Sequence, residues 1–540
     1  MKIEFLGAAK IVTGSNYLIT TDKWKFLIDC GLFQGGKEEE AMNEVAVKYD
    51  PGEIDFMFLT HAHIDHSGRI PYLVKKGYRS EIYATEATVD LCEIMLLDSA
   101  NIQESDAEWE NKRRIRSGKA PIEPLYTMED AQRSLSYFRP CHYEEIIKVN
   151  DEISFRFTDA GHILGSSILE LWIVENNETV KVVFSGDLGM PNKPLLKDPA
   201  FIKSADYLIM ESTYGNSVHD DYAKSMDELT QIIDRVSERG GTVMIPSFAV
   251  GRTQELIYQL NNYYSKDTIH EHQRIPIYID SPMAIRATKA FMDNAYYFDD
   301  ETKEIIRSGD NIFEFPNLHY VNSVEESKAL HRVNYPRVII SSSGMANAGR
   351  IRHHLKHGLW DERNAVVFIG YQAIGTLGRI LLDGAEKVKL LGEEIAVKAE
   401  IFDLVGFSAH ADEPMLLDWL NHFEKKPVKI FLTHGEEDES VPLAKTIKEM
   451  FHIDTIVPSL NDEYSLNTTG RDLEEKISKE DMEKTLYEDF RLIQDNMQNL
   501  SNRKELFDTG KMKAEEYSEI KRTLNDLKLQ LMSLNMKTGK

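Results

Sequence analysis

Apolar residues along this chain gather into short runs that stop at chemistry-bearing side chains. The run at 56–59, Phe-Met-Phe-Leu, reads as a buried strand and leads straight into Thr60-His61-Ala62-His63-Ile64-Asp65-His66-Ser67-Gly68. The run at 25–28 leads to Asp29, that at 153–157 to Asp159-Ala160-Gly161-His162, and that at 180–184 to Ser185-Gly186-Asp187. Further along, 207–210 precedes Glu211, 401–405 precedes Gly406-Phe407-Ser408-Ala409-His410, and 428–432 precedes Thr433-His434-Gly435. Seven strand-like runs therefore end in His, Asp or Glu. In open α/β sheets ligands gather outside the carboxyl ends of strands. If the seven share one sandwich, their ends converge on one rim.

Between residues 213 and 394 the pattern changes to strand and helix in alternation: 242–246 then 253–264, 277–279 then 283–293, 338–340 then 349–355. Such units predict a second, mostly parallel sheet. Because Glu211 precedes it and His410 and His434 follow it, this second unit reads as an insertion rather than a tandem domain. The expected organisation is a first domain over 1–212, an insertion over 213–394, the return of the first domain over 395–466, and a tail over 467–540. In the tail, Leu486, Phe490, Ile493, Met497 and Leu500, then Tyr517, Ile520, Leu524, Leu527, Leu531 and Leu534, are spaced three and four apart. Those spacings predict two heptad-seamed helices in a hairpin, packed on itself or on the body, or joining two copies in a homodimer. An amphipathic helical region is expected over 84–110, followed by the basic run Lys112-Arg113-Arg114-Ile115-Arg116, which reads as a solvated helix face or as a phosphate contact.

Composition narrows the function. With 540 residues, of which 42% are hydrophobic, the chain has ample material for folded cores. A formal net charge of -26 opposes indiscriminate adhesion to nucleic acid or anionic membrane, so a polyanionic substrate would have to be attracted locally. Three cysteines, Cys30, Cys92 and Cys141, without a CxxC spacing imply a reducing compartment. The start lacks a signal-like apolar region and no run of ~18 apolar residues occurs, so the expectation is a cytoplasmic protein with no membrane partner.

The candidate ligands offer imidazoles and carboxylates but no thiolates, which suits Zn2+ or Mn2+. In an extended segment His61 and His63 point the same way. Seven residues, His61, His63, Asp65, His66, His162, Asp187 and His434, are about the right number for two ions sharing a carboxylate, an arrangement that activates water at neutral pH. Glu211 and His410 are then left as a carboxylate orienting an imidazole, an acid/base pair.

The pattern His61-x-His63-x-Asp65-His66 with Asp29, His162 and Asp187 resembles that of the metallo-beta-lactamase superfamily. Glu211 in Glu-Ser-Thr-Tyr-Gly, His410 in Phe-Ser-Ala-His-Ala-Asp and His434 in Thr-His-Gly-Glu are similar to the further motifs of its beta-CASP branch of nucleic-acid nucleases. The segments 247–252, 280–284, 341–345 and 370–378 agree with the branch, and the likeness spans residues 1–460. The resemblance implies an α/β fold: a metallo-beta-lactamase αββα sandwich with an inserted beta-CASP α/β domain, here followed by the helical hairpin. It also implies that His61, His63 and His162 hold one zinc, Asp65, His66 and His434 the other, and Asp187 both, with Asp29 orienting a ligand from behind. His410, held by Glu211, would protonate the leaving oxygen and Asp65 would assist the attacking water. Arg252, Ser343, Gly344, Arg350 and Arg379 are the candidate contacts to substrate phosphates. The Phe407–Asp412 version of its motif resembles the cleavage and polyadenylation endonuclease group, which implies a zinc-dependent ribonuclease acting on single-stranded RNA, mainly at internal bonds. Two other readings compete: a metallo-hydrolase of small esters, thioesters or lactones, and a non-catalytic scaffold partner of a nuclease. The 180-residue insertion and the Glu211/His410 pair argue against the first, and the filled ligand positions against the second.

Overall fold

The computed structural model describes residues 1–45, 47–265 and 275–466. Two seven-stranded sheets face each other. In the first the order is Glu463–Ser465, Lys2–Phe5, Tyr17–Thr20, Lys25–Ile28, Phe56–Phe58, Glu81–Thr85 and Phe138–Cys141. In the second it is Asp454–Ile456, Lys429–Thr433, Tyr207–Glu211, Glu178–Phe184, Ser167–Glu175, Ile153–Asp159 and Ile147–Lys148. Alternation along the strands sends Phe5, Phe26 and Phe58 from one sheet and Phe155, Phe157, Phe184 and Phe431 from the other into a shared aromatic layer. The opposite face of the first sheet, through Leu27, Met57 and Ile82, packs on the helices Ile70–Lys75 and Glu86–Arg116. The outer face of the second sheet, through Leu208, Met210 and Leu432, packs on Glu413–Asn421 and Glu437–Phe451. Burial on both faces explains why these strands read as unbroken apolar runs. The strand Lys429–Thr433, distant in sequence, lies between Asp454–Ile456 and Tyr207–Glu211, parallel to both.

The insertion is a six-stranded, all-parallel sheet in the order Leu318–Tyr320, Ile277–Ile279, Arg337–Ser341, Thr242–Pro246, Ala365–Phe368 and Glu400–Asp403. Helices Arg252–Ser265, Pro282–Asp293 and Ile351–Gly358 follow its strands, close to their expected bounds. One strand departs from expectation. The run before His410 does not belong to the sandwich: Glu400–Asp403 pairs with Ala365–Phe368 and closes the edge of the inserted sheet. Six of the seven strand ends therefore come from the sandwich and the seventh from the insertion. The helix of the first domain runs further than expected, through the basic run to Arg116, and its end is solvated. The heptad hairpin expected in the tail lies outside the described residues.

Candidate metal and acid/base site

The stretch after Phe56–Phe58 is extended to His63, which then opens the short helix Ile64–Ser67. A neighbouring loop fixes that turn. Cys30 N donates to His66 O at 2.7 Å, Leu32 N to Ile64 O at 2.9 Å and Ser15 N to Asp65 O at 2.8 Å. Gly31 permits the approach, since a Cβ there would stand 1.6 Å from the Asp65 carbonyl oxygen. Asp29 holds the strand end in the left-handed region at φ 56° and accepts from Thr60 N at 2.7 Å and Thr60 Oγ1 at 2.8 Å. Its Oδ2 also lies 2.7 Å from His66 Nδ1, which leaves His66 Nε2 to face Asp187.

Three overlapping groups of ligand atoms result. His61, His63, His162 and Asp187 form the first, and Asp65, His66 and His434 the second. The third, Asp187, His410 and His434, shares members with the other two and includes the imidazole beside Glu211. In the first, His63 Nδ1 is 3.2 Å from His61 Nε2 and 3.1 Å from His162 Nε2. Three ligands ~2.0–2.1 Å from a tetrahedral zinc stand about 3.3 Å apart, so the spacing fits such an ion. Asp187 reaches the first two groups: Oδ2 is 3.4 Å from His61 Nε2, and Oδ1 is 3.2 Å from His66 Nε2 and 3.6 Å from His434 Nδ1. His434 Nε2 in turn lies 3.5 Å from Asp65 Oδ2.

Electrostatics point to a cation. Burial holds His61 and His162 well below the ordinary imidazole value and takes His63 to about 4, so all three are neutral and each has one lone-pair nitrogen to offer an ion. Burial acts on His66 the same way, but the Asp187 and Asp29 carboxylates outweigh it and raise that ring. Burial disfavours the Asp187 carboxylate, yet the imidazoles of His434, His66 and His61 hold it well below the usual range. The buried His63 Nε2 and His434 Nε2 have no hydrogen-bond partner. Neutral imidazoles crowded around one point and the unpaired His434 Nε2 facing Asp65 cost free energy that a divalent ion would offset, whereas His63 joins its group through Nδ1 and its unpaired Nε2 lies on the other side of the ring. The residues present fit such an ion.

Beside these groups, His410 Nδ1 lies 3.0 Å from Glu211 Oε2. Glu211 is buried at the end of its strand, where it accepts from Thr213 Oγ1 at 2.7 Å and from the Leu188 backbone N–H. Burial lowers the His410 pKa, but the Glu211 carboxylate overcomes it and the net shift is upward. His219 Nε2 donates to the His410 carbonyl at 3.1 Å, fixing the loop from the far side.

A cavity of ≈ 1050 Å³ opens over the site between the sandwich and the insertion, lined by His63, Asp65, His162, Asp187, His410 and His434 below and by Phe248, Arg252, Ser343, Arg350 and Tyr371 above. Of the expected phosphate contacts, Arg252, Ser343 and Arg350 line it. Arg252 is ion-paired with Glu255, and Arg350 Nη1 with buried Asp280 at 2.6 Å. Gly344 sits behind the wall, where a Cβ would meet the Phe248 ring at 2.6 Å. Arg379 stands outside the lining in an exposed i,i+4 pair with Asp383 at 2.9 Å. Sequence reasoning missed Lys193, whose buried ammonium donates to Ser408 O and lies 3.1 Å from Glu255 Oε1, joining the insertion to the His410 loop. Burial, with Arg252 nearby, brings its pKa down to about 7. A lone lysine between prolines and turns carries no spacing that could have revealed it.

Comparison with known proteins agrees with this construction. The family model described as the metallo-beta-lactamase superfamily matches residues 10–247, the Beta-Casp domain 253–381, and the Zn-dependent metallo-hydrolase RNA specificity domain 394–458. Ribonuclease TTHA0252 of Thermus thermophilus is 40% identical over 447 residues, covering 83% of this chain and 96% of that relative. Transcription termination factor FttA of Methanocaldococcus jannaschii is 30% identical over 468 residues, 85% of this chain and 70% of its own. An RNase J-like protein of the same organism is 30% identical over 460 residues, 84% of this chain and 97% of its own. With these matches, and with the ligand groups and the Glu211/His410 pair at the strand ends, the chain belongs to the metallo-beta-lactamase superfamily and to its beta-CASP nuclease branch.

Proposed function

We propose that the protein is a metal-dependent ribonuclease that hydrolyses phosphodiester bonds of single-stranded RNA, mainly at internal positions, in RNA processing or decay. The observation that carries this reading is a Glu-held imidazole set against two groups of metal-ligand atoms on the floor of a cleft roofed by the insertion. A small-ester hydrolase has no use for a cleft of that size. Two divalent ions, zinc or alternatively manganese, would supply Lewis-acid activation of water and phosphate at neutral pH.

The chain's own residues do the rest. His61, His63 and His162 would hold one ion and Asp65, His66 and His434 the other, with Asp187 placed to serve either group. Asp29 fixes the His66 ring, as ligands of this kind require. Asp65 takes a proton from the attacking water, and His410, kept protonated and oriented by Glu211, delivers one from Nε2 to the leaving ribose oxygen. Arg252, Ser343 and Arg350 form the wall toward the substrate phosphates, while Gly344 and Arg379 support that wall and its rim. Among the described residues no helix is long and apolar enough to cross a membrane. The three cysteines are free and buried, which supports a cytoplasmic setting.

The test is purified protein with 5′-labelled and with 5′-triphosphorylated RNA, with and without chelator, resolved by product length. Internal products indifferent to the 5′ end, and none after chelation, are expected. Robust ester hydrolysis without RNA cleavage would transfer the assignment to small esters, thioesters or lactones, and turnover of neither would leave a scaffold.

A further inference from the structure

The cavity over the site does not end at the insertion. It continues along the helix Glu86–Arg116, past Met95, Ile102 and Ala107, to Ile122 and Pro124 on the segment that returns beside the helix end. The helix rises ~21 Å between Met95 and Trp109. That returning segment is fixed in place: Asn111 exchanges two hydrogen bonds with the backbone of Ile122, at 2.8 and 2.7 Å, and Arg114 Nε donates to Ala120 O at 2.7 Å.

The surface built there differs from the rest of the molecule. Residues 111–122 hold five Lys and Arg and no Asp or Glu, within a chain of net charge -26. The acids Glu108, Glu110 and Glu123 flank this stretch, and Glu110 and Glu123 line the cavity with Asp98 and Asp106, so the basic surface begins where the cavity ends. Trp109 is 60% exposed, Ile115 66% and Ile122 41%. The Arg113 guanidinium lies over the Trp109 ring at 4.8 Å from its centroid, and its ion pair with Glu110 is a loose 3.4 Å. Among the described residues Lys112, Arg116 and Lys119 meet no carboxylate. Basic side chains at a helix C-terminus complement its dipole, but that does not call for an exposed indole and two exposed isoleucines beside them. An aromatic face interleaved with cations is the arrangement that takes single-stranded nucleic acid, by stacking on bases and neutralising phosphates.

Resting on the ribonuclease reading, we propose that the end of this helix and its returning segment form an accessory site for single-stranded RNA running out of the cleft. Trp109 with Arg113 stacks a base, and Lys112, Arg116 and Lys119 meet phosphates. The residues 467–540 are a poorer occupant on charge, because their acids and bases nearly cancel.

The metal-loaded full chain is compared with Trp109→Ala, Trp109→Phe and the triple variant Lys112→Ala/Arg113→Ala/Arg116→Ala, on a 20-nucleotide and a 4-nucleotide RNA. Thermal melting checks that these exposed substitutions leave the fold intact. For the long RNA, Trp109→Ala and the triple variant should raise KM about tenfold with kcat unchanged, and Trp109→Phe should restore it. The triple variant removes two phosphate contacts, Lys112 and Arg116, and should also flatten the slope of log affinity against log salt by about 1.4, at ~0.7 per contact on a single strand. Cleavage of the short RNA should not change. Variants that match the wild type on the long RNA, or that lose equally on the short one, overturn the accessory site while leaving the ribonuclease reading intact. A changed sedimentation mass with unchanged RNA kinetics would overturn it in favour of a protein-docking face. If the wild type cuts neither RNA, the ribonuclease reading and the accessory site fall together.

Discussion

Glu211 makes three contacts, and each removes a freedom that His410 would otherwise keep. Thr213 and the Leu188 N–H fix the carboxylate, and the carboxylate fixes the imidazole tautomer and raises its pKa. Replacing Glu211 by Gln removes the charge and keeps the shape. The His410 pKa should then fall, so the alkaline limb of the pH–kcat profile on RNA should move to lower pH, with kcat at pH 8 down by roughly 10²-fold and metal content retained. An alkaline limb that stays where it is would remove His410 from the acid role. Asp29 acts one step further back, since it touches His66 and Thr60 but no ion seat. Asp29→Ala should weaken metal binding about 10–100-fold, read as metal content after dialysis against a weak chelator. Its role was legible in the sequence as a strand-end carboxylate. Its backbone at positive φ was not, because Asp is enriched in that region without requiring it.

Among the elements, the helices Val324–Leu330 and Ile351–Gly358 carry an imidazole chain away from the site. Asp280 Oδ2 is 2.6 Å from His354 Nε2, His354 Nδ1 is 3.1 Å from His331 Nε2, and the His331 ring lies 4.3 Å from that of His357. Burial, with the His354 ring next, takes His331 down to about 4. The unfolded chain therefore takes up a proton near pH 6.5 that folded His331 refuses until about 4, so the insertion should lose stability as pH falls through that window. Denaturant melts between pH 7 and 4 should show a shallower loss in His331→Asn, and an unchanged slope would assign the acid sensitivity elsewhere. Apolar runs and their terminal His, Asp or Glu made most elements readable, because strands buried on both faces leave no polar alternation. The same property hid the sheet to which Glu400–Asp403 belongs: an apolar run looks alike in either sheet, and only pairing with Ala365–Phe368 decides. Likewise, the ion pair that orients the candidate phosphate contact Arg350 was hidden, because its partner Asp280 lies 70 residues away.

For the whole molecule, the buried ligand groups make metal a stabilising component as well as a reactive one. Ions that bind only the folded chain should add about 4 kcal/mol each when free metal exceeds Kd 1,000-fold. Chelation should therefore lower Tm as well as abolish cleavage; a Tm unmoved by chelator would mean the groups hold no ion in solution. The strand Lys429–Thr433, seated between Tyr207–Glu211 and Asp454–Ile456, carries His434 at its end. Its neighbour is made some 220 residues earlier, as the 221-residue separation of Thr213 and His434 shows. During synthesis, then, the growing chain holds His61 to Asp187 long before it holds His410 or His434, and the gap in the second sheet stays open until the insertion has been completed. A nuclease with this order of parts should be inert until the strand Lys429–Thr433 and His434 have emerged and paired. Ribosome-stalled chains ending at residue 425 should stay protease-sensitive and cut no RNA, while chains released after residue 466 should do both jobs that the late strand permits: close the sheet and arm the site.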